Sequence, residues 1–132
     1  MTNPFQHATD SYGAVRPSYP REAIDTILAG EKASEITIAD VGAGTGKLTA
    51  ELLERGAKVI AVEPAQAMRE QLVELLGHDH NLQVVDACAE ATGLPDASVD
   101  RAVFAQSWHW VDPQAAGQEM HRIVRPGGQL MI

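Results

Sequence analysis

Cysteine occurs once in the 132 residues, at Cys88, so no internal disulfide can form, and the usage fits a reducing compartment. Positive charge is scarce. Ten Lys and Arg stand against 18 Asp and Glu, for a formal net charge of −8. That balance argues against nucleic acid or an anionic membrane as the main partner, because each requires a basic face. No apolar run approaches the ~18 residues of a membrane-spanning helix. The opening MTNPFQHATDSYG has neither the basic start nor the apolar stretch of a signal peptide. Repeats and low-complexity tracts are also missing. Together these absences predict a soluble domain of the cytoplasm.

What is present is an ordinary globular balance, with 45% apolar and 21% charged residues. A chain of this length buries roughly two thirds of its unfolded surface and builds a core without staples. The first 18 residues show no periodicity and read as an irregular arm. Ser18 then offers an N-cap, Pro20 suits a first helical turn, and Gly30 suits a C-cap, with Ala23, Ile24, Ile27 and Leu28 as one apolar stripe. From Ile36 onward short apolar runs alternate with helical patterns. Ile36 to Val41, Lys58 to Val62, Leu82 to Val85, Arg101 to Ala105 and Gln129 to Ile132 read as strands. Helices are predicted from about Lys47 to Gly56, from Ala65 to Leu76 with Met68, Leu72, Leu75 and Leu76 inward, and from Pro113 to Val124. Pro126-Gly127-Gly128 reads as the turn before the last strand. Such alternation predicts βαβ units, hence a parallel sheet with helices on both faces and ligands beyond the carboxyl ends of the strands.

The loop after the first strand is Asp40-Val41-Gly42-Ala43-Gly44-Thr45-Gly46-Lys47. Glycines that follow a strand and open a helix are the context of a nucleotide-binding loop. Glu63 ends the second strand 21 residues after Gly42, near the ~20 expected for an acid that grips ribose hydroxyls. A triphosphate loop would place Gly at Val41 and Ser or Thr at Leu48, so that reading fails. A dinucleotide loop would place Gly or Ala at Lys47, and Asp40 would repel a pyrophosphate. The residues ask for a nucleoside with a positive tail and no phosphates. S-adenosylmethionine answers that description.

Asp40 to Gly46 resembles the first motif of class I S-adenosylmethionine-dependent methyltransferases, and Glu63 resembles their ribose-binding acid. The resemblance continues through Ala89-Glu90-Ala91-Thr92-Gly93-Leu94-Pro95, the strand Ser98 to Phe104, and Arg122-Ile123-Val124-Arg125-Pro126-Gly127-Gly128. With Tyr12, Arg16-Pro17, Ser18-Tyr19-Pro20 and Gln106-Ser107-Trp108-His109-Trp110, the chain is similar to the type-11 and trans-aconitate-methyltransferase-like group. The resemblance implies a Rossmann-like three-layer α/β/α fold with sheet order 3-2-1-4-5. It also implies that the last two strands of the family fold are missing from this chain. It divides the chain into an arm and helix over residues 1–35, covering the cofactor site, and a cofactor-binding core over residues 36–132.

Carried over position by position, the resemblance sets Gly42, Gly44 and Gly46 along the methionine half of the cofactor, with Asp40 reaching its amino group. Glu63 holds the ribose, Pro64 and Met68 lie near the adenine, and the Ala89 and Glu90 amides read it. Relatives often carry Asp where this chain has Cys88, so that contact has no direct equivalent, and Asp86 is no clean replacement. Gln106 borders the methionine. Trp108, His109 and Trp110 face a small-molecule methyl acceptor, while Tyr12, Arg16 and Tyr19 close over the site. His109 is the candidate general base for an acceptor that must lose a proton, and Arg16 the candidate clamp on a substrate carboxylate.

Plainer roles are expected elsewhere. His78-Asp79-His80 reads as a solvated loop, since two histidines with no third spaced ligand make no metal site. Cys88 and Met120 read as packing residues, Met68 likewise apart from its adenine role, and Arg122 and Arg125 as caps on the last helix. An apolar edge at Leu130-Met131-Ile132 invites pairing with another copy or cover from elsewhere in the chain. Two rival functions stand beside the methyltransferase: a non-catalytic domain that binds the same cofactor, and a nicotinamide-dependent oxidoreductase, disfavoured by Asp40 and Lys47.

Overall fold

Strand β1, Thr37–Val41, is apolar along both faces apart from Thr37 at its start and Asp40, and a strand of that kind folds stably only where both faces are covered. It becomes the centre of a five-stranded sheet. The computed structural model describes residues 19–105 and 111–132. In it β2 (Lys58–Val62), β3 (Leu82–Val85), β4 (Val99–Val103) and β5 (Val124–Met131) join β1 in the order β3-β2-β1-β4-β5. Every pairing is parallel. The Rossmann-like order expected from the sequence is therefore the observed one. Parallel neighbours need crossovers, and α2 (Lys47–Glu54), α3 (Gln66–Leu76) and α4 (Pro113–Ile123) supply three of them; α1 (Arg21–Leu28) precedes the sheet.

The alternation of β1 side chains sorts the core into two layers. Ile38 faces α1 and α2, packing with Ile24, Ile27, Leu48, Leu52 and Val59. Ala39 and Val41 face the opposite way, with Val62, Ala102, Phe104, Ala116, Met120 and Ile123. Each fully buried Leu, Ile or Phe contributes roughly 1.5–3 kcal/mol by leaving water. Asp40 shares the Ile38 side of the strand, which turns its carboxylate toward α2. Arg101, on β4 and 2% exposed, enters the α1 layer, where its Nε donates to Ile27 O at 3.1 Å and its guanidinium pairs with Glu31 at 3.4 Å.

Several boundaries differ from the sequence reading. Helix α1 ends in a left-handed turn that begins at Ala29, one residue before Gly30. Its first turn carries no side-chain cap: Pro20 stands at the N-cap, and Ser18 lies outside the described residues. Strand β4 starts at Val99, two residues before the apolar run at Arg101 and inside the Ser98 to Phe104 strand that the resemblance implies.

Helix α3 departs further. Only Leu72 is buried on it, while Met68, Val73 and Leu75 are 43%, 50% and 65% exposed. Residues 69 and 76 flank residue 72 on one side of the helix, and 68 and 75 on the other. The helix is rotated so that Arg69 and Leu76 turn inward. It lies toward the sheet's β3 edge, where there is too little surface to cover a wider stripe.

The turn Pro126-Gly127-Gly128 is absorbed into β5 as a bulge: Val99 pairs with Val124, yet Arg101 pairs with Gln129. A Cβ on Gly128 would come within 2.6 Å of Asp100 O and of Val124 Cγ1, so no larger residue fits without a shift. Asp100 fastens the bulge by accepting from Arg125 Nε and, at 2.7 Å, from Thr37 N–H. The arginines expected as helix caps thus pair with carboxylates instead. Arg125 holds Asp100, and Arg122 holds Asp96 and Glu119, both at 2.7 Å.

Candidate functional site

The chain reverses its direction of travel across the sheet between β3 and β4, so the crevice above β1 and its neighbours is where a doubly wound sheet takes ligands. A cavity of about 550 Å³ lies there. The loop after β1 forms its floor, the turn after β2 with Met68 one wall, and residues 87–90, Ala105 and Val111 another. Tyr19, just ahead of α1, lines the same space, so the segment before the sheet reaches the cavity.

Gly42, Gly44 and Gly46 all take positive φ, which lets the chain pass from strand to helix within a few residues. Gly42 and Ala43 turn their N–H groups back to Val62 O at 2.8 and 3.1 Å. Gly44 has open space where a Cβ would stand. Gly46 has a different task. It is buried outside the cavity lining, and a Cβ there would meet Leu72 Cγ and Leu76 Cδ1 at 3.0 Å, so its bareness lets α3 close against the loop.

Asp40 lines the cavity although it is only 2% exposed. Its Oδ2 accepts from Thr49 Oγ1 at 2.6 Å. Burial pushes the Asp40 carboxyl up to about 6, with the Glu63 charge adding to the rise and the hydrogen bonds from Thr49 opposing it. Burial and the nearby Asp40 raise the Tyr19 phenol as well. Glu63 is 7% exposed and spans the β2 turn: Oε1 accepts from Gly44 N–H at 2.7 Å and Oε2 from Ala65 N–H at 2.9 Å. Each oxygen keeps a second lone pair for a ligand hydroxyl.

Asp40, Glu63 and Glu90 contribute three acids to a lining whose described cation is Lys47, an excess of acceptors and negative charge that favours a positively charged guest. Glu90 accepts from Asp112 N–H at 2.9 Å, and chiefly through that bond its carboxyl lies below the ordinary value. The structure brings Asp40, Gly42, Gly44, Glu63, Pro64, Met68, Ala89, Glu90 and Tyr19 to one cavity. Tyr12, Arg16, Gln106, Trp108, His109 and Trp110 lie outside the described residues. Cys88 and Met68, expected to pack, are instead exposed at the cavity wall, because the β3 edge leaves this rim uncovered.

Two contributors escaped the sequence reading. Thr49 could have been noticed as the polar residue among Leu48, Leu52 and Leu53 on a buried helix face. Arg69 donates to Glu63 O at 3.0 Å, Pro64 O at 2.8 Å and Asp86 Oδ1 at 2.9 Å, clamping the β2 turn to the end of β3. Its sequence signal is only that of a solvated helical arginine. Among the described residues no group of three or more His, Cys, Asp and Glu is arranged to hold a metal ion, and no helix is long and apolar enough to cross a membrane.

A parallel sheet in this order, with a glycine loop and an acid at adjoining strand ends, has the layout of a Rossmann-like α/β domain. Comparison with known proteins is more specific. Residues 39–132 match the family described as "Methyltransferase domain". An uncharacterized methyltransferase of Mycobacterium tuberculosis is 44% identical over 137 residues, taking in 98% of this chain and 51% of the relative. The crystal structure of a SAM-dependent methyltransferase from Aquifex aeolicus superposes with a TM-score of 0.70 at 26% identity, covering 83% of this chain and 60% of that one. In fold alone, an S-adenosylmethionine-dependent methyltransferase from Mesorhizobium loti is equally close, with a TM-score of 0.71 at 24% identity over 83% of this chain and 49% of that one. The chain belongs to this methyltransferase family. It spans about half the length of the curated relatives it matches.

Proposed function

We propose that the cavity binds S-adenosylmethionine and that the protein transfers a methyl group from it to a small-molecule acceptor by in-line displacement. The observation that carries this reading is the pair of buried carboxylates, Asp40 and Glu63, facing one cavity floored by glycine main chain. Glu63 accepts the ribose hydroxyls on its remaining lone pairs, and its bonds to Gly44 and Ala65 hold it ready. Asp40 offsets the ammonium. Pro64 and Met68 border the adenine, and the main chain of Ala89 and Glu90 meets its edge. The bound cofactor supplies a methyl group already activated on a sulfonium. The protein's own share is alignment and the exclusion of water.

Within this reading Gln106 borders the methionine half, and Trp108, His109 and Trp110 wall the acceptor pocket. Residues 1–35 cover the site, with Tyr12, Arg16 and Tyr19 toward the acceptor. An acceptor that must shed a proton passes it to His109; one that bears a carboxylate pairs with Arg16. Family names and comparable folds support the cofactor class, while the acceptor's identity rests on assay.

Calorimetric titration with S-adenosylmethionine and S-adenosylhomocysteine tests the reading. Micromolar-range binding is expected for the wild type, with at least tenfold weaker binding in Glu63→Ala, which loses a charged acceptor for two hydroxyls. Absence of binding by the wild type, or an unchanged affinity in Glu63→Ala, overturns it. Radiolabelled methyl transfer to a panel of small acids, phenols and amines then identifies the acceptor. His109→Ala with unchanged turnover removes the proposed base.

A further inference from the structure

We infer that Thr49, which does not itself line the cavity, is a positioning residue: its hydroxyl fixes and keeps ionised the Asp40 carboxylate that receives the ligand's ammonium group. The inference rests on the cofactor reading above and adds to it a residue acting at one remove. Thr49 stands in the first turn of α2 and is fully buried, with its Oγ1 2.6 Å from Asp40 Oδ2. A hydroxyl placed there donates its only hydrogen to the carboxylate, a charge-assisted bond. The Thr49 backbone N–H also favours the ionised form of the same group. The helix N-terminus itself presents positive potential to an anion at this point.

The balance at Asp40 is a close one. Burial and the Glu63 carboxylate both favour the protonated acid, and the Thr49 bonds oppose them. The titratable groups that share the cavity are Tyr19 ahead of α1, Lys47 on α2, Glu63 after β2, and Cys88 and Glu90 after β3. A neutral Asp40 attracts an ammonium group weakly. A carboxylate whose Oδ2 is committed to Thr49 has one fixed rotamer and turns its remaining lone pairs to the cavity. The hydroxyl thereby sets both the aim and the charge of a residue it supports from behind.

The test compares Thr49→Val, Thr49→Ala and Thr49→Ser in the whole chain, using two probes titrated from pH 5 to 8.5. S-adenosylhomocysteine carries the amino-acid tail; methylthioadenosine has the same nucleoside and lacks that tail. Loss of the hydroxyl is expected to weaken S-adenosylhomocysteine about tenfold near pH 7, and to move the pH midpoint of its binding up by about one unit. Methylthioadenosine affinity should stay within about twofold, and Thr49→Ser should restore both affinity and midpoint. Valine matches the shape of threonine and alanine relieves packing demand, so whichever of the two folds gives the reading. Equal weakening of both probes, or an unmoved midpoint, assigns Thr49 a merely structural role and overturns the inference. If the wild type binds neither probe, the cofactor reading itself fails, and that outcome is distinct from the other two.

Discussion

At the scale of single residues, the site holds one carboxylate in an energetically unfavourable state that a cationic ligand would relieve. The Asp40 carboxyl, ordinarily near 3.8, is raised to about 6 in the fold. Its folded value is the higher one, so the associated stability is fully present below the unfolded value and is lost as pH rises through about 6. At neutral pH the ionised, buried carboxylate therefore costs the ligand-free domain up to about 3 kcal/mol. Asp40→Asn is expected to stabilise the domain at pH 8, to leave it unchanged near pH 4, and to abolish tight binding of a cationic ligand. Urea unfolding at the two pH values checks the first two outcomes and calorimetry the third. Asp40 and Glu63 were legible from sequence because strand ends and glycine spacing fix their places. Thr49 was not, because a hydroxyl on a buried helical face looks the same whether it serves a neighbour or only packs.

Among the elements, the crossover from β3 to β4 depends on one carboxylate in place of a helix. Glu119 on α4 accepts from Thr92 N–H at 2.8 Å, from Thr92 Oγ1 at 2.6 Å and from Arg122. Arg122 above all, then the Thr92 bonds, hold the Glu119 carboxyl down at about 2. A depressed value means that this stabilisation is present above the unfolded 4.5 and is lost as pH falls through about 2. Glu119→Gln is expected to cost about 2–3 kcal/mol at pH 7 and little near pH 2, measured by denaturant titration. Hydrogen exchange should show faster opening at Thr92 and Leu94, and the wall formed by residues 87–90 should loosen with them. The anchor of this crossover was not legible in the sequence, because Glu119 lies 27 residues from Thr92. The rotation of α3 was equally hidden. A stripe of Met68, Leu72, Leu75 and Leu76 states that one face is apolar, not how much sheet is available to cover it.

For the whole molecule, a parallel sheet with its ligand crevice beyond the strand carboxyl ends was readable from the alternation of strands and helices, while the sheet order came from the family resemblance. The bulge in β5 was not, since Gly127 and Gly128 are as compatible with a turn before a strand as with an excursion inside one. Leu52, which has no exposed surface, tests the core between sheet and helices: Leu52→Ala should cost about 2–5 kcal/mol in chemical unfolding. Arg101 bears on the motions of the molecule. Were α1 to lift away, the Arg101 guanidinium would lose Ile27 O and the Glu31 carboxylate and keep only the Asp100 carbonyl at 3.1 Å, so helix and strand share one buried, hydrogen-bonded charge. The first helix should therefore not fray on its own: its amides at Ile27 and Leu28 should exchange only as slowly as those of β4, opening together with the sheet. Arg101→Met should uncouple them, giving a helix that opens and recloses alone over a sheet that stays shut.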